Sequence, residues 1–256
     1  MLKAHSLLWH YLWVAPNLLL LGLAFLLWRR QMHREFPVFF AFCIGSALAE
    51  LTVYFADVYS PITADVWWRI FWGALFIEGL LKFLLLGEII GKILFAYASL
   101  AKLAKLLTRG IGATLVLLSV AAAAYAPQDG RFGIVSGAHL LEQTIYLTET
   151  GLLTFVFIFA AYFKLKPPHK IFGISVGLAF SACVHLMTWA VAANGVLQNE
   201  RRDILDFLNM ATYHGCVLIW FYYLLLPPKV VKKSAVSLPE HNLELWNREL
   251  ERFLQP

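Results

Sequence analysis

Apolar residues run along this chain in long blocks, with no strict alternation of apolar and polar positions. Alternation would predict half-buried strands, whereas a block of about 20 mostly apolar residues predicts a helix that crosses a bilayer. Seven blocks follow one another: Tyr11 to Trp28, Pro37 to Asp57, a third from Val66, Ile111 to Tyr125, Gly137 to Phe163, Ile171 to Ala193 and Ile204 to Leu226. Breakers sit between them, notably Ser60-Pro61, Pro127, Pro167-Pro168 and Pro227-Pro228. The loop Gln128 to Gly133 reads as a turn. No proline occurs from Thr63 through Ala126, so the third helix is expected to run on to Thr108, its extension carrying Lys102, Lys105 and Arg109 on one side until Gly110 breaks it. The pattern predicts an all-α polytopic membrane protein: a seven-span bundle over residues 1–228, then a cytoplasmic segment, 229–256.

Composition agrees. Hydrophobic residues make up 60% of the chain and charged residues 14%, with a mean hydropathy of +0.68. Soluble domains hold about 45–50% apolar residues and about 25% charged. So little polar sequence remains that any chemistry must lie inside the bundle or on short loops.

The net charge of +5 raises the question of nucleic acid, but the basic residues do not form one patch. The ends of spans one, three, five and seven hold Arg29, Arg30, Arg34, Lys92, Lys102, Lys105, Arg109, Lys164, Lys166, Lys170, Lys229, Lys232 and Lys233. The opposite ends hold Lys3, Arg69, Arg131, Arg201 and Arg202. By the positive-inside rule the N-terminus lies outside and the C-terminus in the cytoplasm, in a plasma or inner membrane, with no nucleic-acid partner. One lysine precedes the first block and three arginines follow it, the reverse of a secretory signal, so it is expected to stay as a span. Trp9, Tyr11 and Trp13 are expected in the interfacial aromatic belt, and Trp67, Trp68 and Trp72 as anchors of the third span. Cys43, Cys183 and Cys216 fall within apolar blocks and read as packing residues.

The tail differs from the rest. Ser237-Leu238-Pro239-Glu240 fits a capped helix start, and Leu243, Trp246, Leu250, Phe253 and Leu254 form an apolar stripe among glutamates. An amphipathic helix over 238–254 is expected to dock on the protein's own basic cytoplasmic face, on a cytoplasmic or membrane protein partner, or on lipid.

Ionisable residues inside spans are rare and tend to mark function. The fifth block carries His139, Glu142, Gln143, Tyr146, Glu149 and Thr150 at helical spacing. The second carries Ser46, Glu50, Tyr54 and Asp57; the third carries the i, i+4 pairs Glu78–Lys82 and Glu88–Lys92. The sixth carries Ser181, His185 and Thr188, and the seventh Asp206, Asn209, Tyr213 and His214. Counted from the span ends, Glu50, Glu78, Glu149, His185 and His214 share one depth, which predicts a buried polar cluster of Glu50, Glu78, Lys82, Glu149, His185, Tyr213 and His214. Four readings follow from it. A transition metal would use His139, Glu142, Glu149, His185 and His214. Haem would use His185 and His214 as axial ligands. A proton or ion path would use the Glu/His chain. A structural or ligand pocket would use the buried pairs.

Met210 to Gly215, in the middle of the seventh block, contains no lysine, which excludes the retinal linkage of microbial rhodopsins. The seven-span hydrolases of the ceramidase and adiponectin-receptor type set three histidines with an Asp and a Ser around zinc. This chain has His139, His185 and His214 without the matching surroundings, so the similarity is one of topology. There is no phosphate loop, nucleophile elbow or zincin pattern. The sequence therefore leaves open whether the chain is an enzyme. Its leading reading is a sensor or receptor-like module, followed by an intramembrane metal or haem enzyme, and by a proton-linked transporter or accessory subunit.

Overall fold

The computed structural model describes residues 5–59, 61–94, 106, 110, 113, 117, 131–162, 165, 167–193 and 202–226, with backbone alone at 131–140, 192–193 and 202–203. Among the described residues there are six helices long and apolar enough to cross a membrane, and no strand. They are α1 (Leu7–Arg29), α2 (Pro37–Val58), α3 (Ala64–Ile93), α4 (Arg131–Tyr162), α5 (His169–Ala193) and α6 (Arg202–Leu225). The chain is a helical membrane protein.

Local chemistry sets several of these ends. Ser6 caps α1, its Oγ accepting from the Trp9 N–H at 3.3 Å. Pro37 stands in the first turn of α2, where a missing N–H removes nothing. Of the free donors that follow it, the Phe39 N–H is met from another helix: Glu88 Oε2 on α3 accepts it at 3.0 Å. Glu88 therefore serves the positive end of α2, and Lys92, its expected i, i+4 partner, lies over the Phe36 ring at 4.7 Å. α3 ends earlier than its proline-free run predicts. The helix stops at Ile93, and the Leu94 N–H closes it on the Ile90 carbonyl. α4 starts earlier than expected, at Arg131, inside the stretch read as a turn. Most of the fourth block Ile111 to Tyr125, most of the basic extension and all of the tail 238–254 lie outside the described residues; Gly110, expected to break the extension, is helical.

The helices close a ring: each packs on the next in chain order, and α6 packs back on α1. Two of these contacts are parallel. Along the α3–α4 seam, Leu75 clusters with Leu141 and Ile145, Gly79 faces Ile145, and Lys82 faces Glu149, so both helices advance together. Along the α1–α6 seam, Tyr11 faces His214, and the Arg30 guanidinium donates to the Leu225 carbonyl. The other seams are antiparallel, as in Trp13–Glu50 and His10–Tyr54 between α1 and α2.

The interior has two unlike halves. Toward the C-terminal end of α1 lies a continuous apolar core containing Leu20, Leu23, Leu27, Phe39, Leu86 and Leu153. Trp220, 1% exposed, fills its centre between the edges of Phe39 and Phe42 at 5.3 and 5.8 Å. Cys43 and Cys216 pack in this core as small apolar residues, whereas Cys183 is exposed. Lipid supplies no hydrophobic drive for helix association, so contact must come from close packing and interhelical hydrogen bonds. α5 and α6 illustrate both. Gly173 and Gly177 lie one turn apart on α5, and a Cβ added at either would meet Tyr223 or Trp220. The closeness lets the Trp220 Nε1–H donate to the Ile174 carbonyl at 3.2 Å.

Candidate ligand cavity

The other half, toward the N-terminal ends of α1, α3, α4 and α6, holds a partly open cavity of about 460 Å³. Each helix contributes from its middle or from the half nearer this end. α1 brings Trp9, Trp13 and Asn17, and α2 brings Glu50 and Asp57. α3 brings Glu78 and Lys82, and α4 brings Glu142 and Tyr146. His185 comes from α5; Asp206, Asn209 and Tyr213 come from α6. The deepest of these, Asn17, Glu50, Lys82 and Tyr213, sit about one turn from the apolar core at Leu20, Ala47, Leu85 and Val217, which closes the cavity below. At the other end His5 and the exposed Asp206 mark the mouth.

Lys82 organises the floor. Its side chain is buried, and its Nζ sits 2.9 Å from Glu78 Oε1 and 3.6 Å from Glu149 Oε2. It also lies 4.1 Å from the centroid of the Tyr146 ring. The Glu78–Lys82 spacing on one helix is the i, i+4 pair that the sequence predicts. Glu149 is 1% exposed, and at 3.6 Å from Nζ both its carboxyl oxygens are buried without a hydrogen bond. Among the described residues, the Lys82 ammonium is the cation that faces it.

Tyr146 continues the arrangement onto α5, stacking on the His185 ring with centroids 4.2 Å apart and planes 19° apart. His185 Nδ1 lies 3.1 Å from the Ser181 carbonyl, which orients the ring. Next to it the Thr188 hydroxyl donates to Asn209 Oδ1 at 3.0 Å and ties α5 to α6.

On the far wall the polar stripe of α2 meets α1. The Trp13 indole N–H donates to Glu50 Oε2 at 3.1 Å. His10 Nδ1 and the Tyr54 hydroxyl share a hydrogen bond of 3.0 Å, and His5 Nε2 lies 3.9 Å from Asp57. Trp9 and Trp13, expected in an interfacial belt, line the cavity; Trp9 is buried, and their rings pack edge to face at 4.6 Å. Asn17, which sequence reasoning missed, follows them at the same spacing of four. Its Nδ2 donates to the Trp13 carbonyl at 2.8 Å, and its Oδ1 is buried with no partner among the described residues.

Of the predicted cluster, Glu50, Glu78, Lys82, His185 and Tyr213 line the cavity, and Glu149 lies directly behind it against Lys82. His214 is not among the lining residues; its ring faces Tyr11 at 5.8 Å. Gln143, placed on the polar stripe of its helix by spacing, is exposed. The candidate metal residues Glu142, Glu149, His185 and His214 do not gather: among the described residues no three His, Cys, Asp or Glu side chains form a group able to hold a metal. The side chain of His139 lies outside the described residues. His185 and His214 turn to different neighbours, Tyr146 and Tyr11, and do not face each other as a haem pair would.

No protein-family model, curated protein or solved structure matches the chain.

Proposed function

We propose that this protein is a seven-span, receptor-like membrane module that takes a small molecule into the cavity from the side opposite the cytoplasm. The observation that carries the reading is the cavity itself: about 460 Å³, partly open, walled by aromatic rings and floored by a fixed polar cluster. Small-molecule sites commonly have about 300–1,000 Å³, mostly apolar walls and a few placed polar groups.

Two arguments support the span count and direction. Parallel neighbours on consecutive spans need an odd number of crossings between them, and α3 and α4 are such neighbours; the apolar block Ile111 to Tyr125 suits that crossing. A first and last span that run parallel need an odd total, as α1 and α6 do. The lysine and arginine bias then puts the cavity mouth outside and the tail 238–254 in the cytoplasm, where it would meet a protein partner. The apolar core beneath the floor supports a binding pocket over a path through the bilayer.

Filling the pocket tests the reading. Ala74 lines it and is half-buried. In lipid nanodiscs, small polar and amphipathic compounds that raise the melting temperature of the native protein are expected to have no effect on Ala74→Trp. Compounds that stabilise both proteins equally would bind elsewhere and would sink the reading, as would a broad set of compounds with no stabiliser.

A further inference from the structure

The geometry points to a protonated amine carrying an apolar group as the ligand of this cavity. The inference rests on the ligand-cavity reading and names the chemistry of what enters.

Charge is the first ground. Glu50, Asp57 and Glu78 line the cavity, and among its described lining residues the one ammonium is that of Lys82. Lys82 is also already committed, held between Glu78 and Glu149. A pocket with excess carboxyl groups in low dielectric attracts cations and repels anions.

Acidic residues alone would suit any cation, and the second ground narrows the choice. Asn17 is 1% exposed, lines the cavity and has its amide orientation fixed, because Nδ2 donates to the Trp13 carbonyl. Its Oδ1 is thereby presented as an acceptor that meets no donor among the described residues. A buried acceptor left unmet is costly, so the site is complete only when something brings an N–H or O–H. An ammonium with N–H groups meets both the charge and this acceptor; a quaternary ammonium meets only the charge.

The third ground is the wall. Trp9, Trp13, Phe71, Tyr146 and Tyr213 present aromatic surface around the carboxyl groups. Such faces hold cations and cover apolar groups. Lys82 already uses the Tyr146 face in this way. Glu50 is the natural counter-ion: the Trp13 N–H holds one of its oxygens, which fixes the carboxylate at the cavity edge one helix away from Asn17.

The test uses the full chain in nanodiscs, with the fluorescence of the lining tryptophans and calorimetry as readouts. The probes are phenethylamine, its neutral isostere 2-phenylethanol, the anion 3-phenylpropionate, and sodium chloride. Phenethylamine is expected to bind saturably and at least tenfold more tightly than the alcohol, with no binding of the anion and no response to sodium at matched concentration. Glu50→Gln, which keeps an acceptor for Trp13, is expected to weaken amine binding at least tenfold and leave alcohol binding unchanged. Should Glu50→Gln fail to fold, Asn17→Ser tests the acceptor instead: it is expected to weaken amine and alcohol binding alike, since both donate to Oδ1, and unchanged amine binding there would overturn the inference. Equal binding of alcohol and amine would overturn the inference while leaving a ligand cavity. An equal response to sodium would make this a bare-cation site and overturn it too. Amine binding that persists in Ala74→Trp would lie outside the cavity and defeat both readings.

Discussion

Lys82→Met is expected to destabilise the protein by about 3–5 kcal/mol, the loss that follows when one partner of a buried ion pair is removed. The side chain volume is nearly kept, so the effect is electrostatic. Two carboxyl groups, Glu78 at 2.9 Å and Glu149 at 3.6 Å, lose their shared cation. Glu149 suffers more, because its oxygens are buried and make no hydrogen bond to share the charge. The Tyr146 ring loses its cation as well. Neutralising the stranded acid should reverse part of the loss, so the double variant Lys82→Met with Glu149→Gln is expected to be more stable than Lys82→Met alone. Thermal melting of the four proteins in one detergent forms the cycle. Equal melting temperatures for native and Lys82→Met protein would contradict the arrangement of the floor.

The second large effect belongs to packing. Gly177→Leu is expected to lose most of the folded protein, and Gly177→Ala to cost about 1–3 kcal/mol. An added Cβ at this position meets the Trp220 indole. Trp220 has nowhere to go, since it is 1% exposed and flanked by Phe39 and Phe42. Any shift also breaks its hydrogen bond to the Ile174 carbonyl. Gly173 meets the Tyr223 Cβ, next to backbone, so Gly173→Ala should behave alike. Gly87 is the control: an added Cβ meets nothing within 4 Å, and Gly87→Ala should be neutral or slightly stabilising through helix propensity. The comparison is read from the folded fraction on size exclusion and from melting temperature. Equal tolerance at Gly87 and Gly177 would contradict the close approach of α5 and α6.

These two sites differ in how plainly the sequence announces them. The helices themselves are legible, because a bilayer demands long apolar blocks and prolines punctuate them. Polar faces are legible as well: Glu78 and Lys82 declare their pairing by spacing, and Asp206, Asn209 and Tyr213 share a face that does line one cavity. Periodicity gives the face of a helix but not what it meets. His214 has the right depth and still turns to Tyr11, because one residue from Tyr213 is a 100° rotation. Trp9 and Trp13 carry the composition of an interfacial belt, and only the approach of Glu50 and Tyr54 from α2 makes them cavity walls. Their spacing with Asn17 by fours was the available signal. Gly173 and Gly177 form a small-xxx-small pair, but such pairs say nothing of partner until Trp220 and Tyr223 are seen against them.

The central claim is a cavity open to one side of the membrane and sealed on the other, and side-specific thiol labelling tests it most directly. In a background with Cys43, Cys183 and Cys216 replaced by alanine, single cysteines are placed at Ala74 and Met210 in the cavity and at Leu86 and Val217 in the apolar core. A membrane-impermeant, positively charged thiol reagent is then added to intact cells. Modification is expected at Ala74→Cys and Met210→Cys from outside, and none at Leu86→Cys or Val217→Cys. Cavity cysteines that stay unmodified from outside but react in inverted vesicles would contradict it.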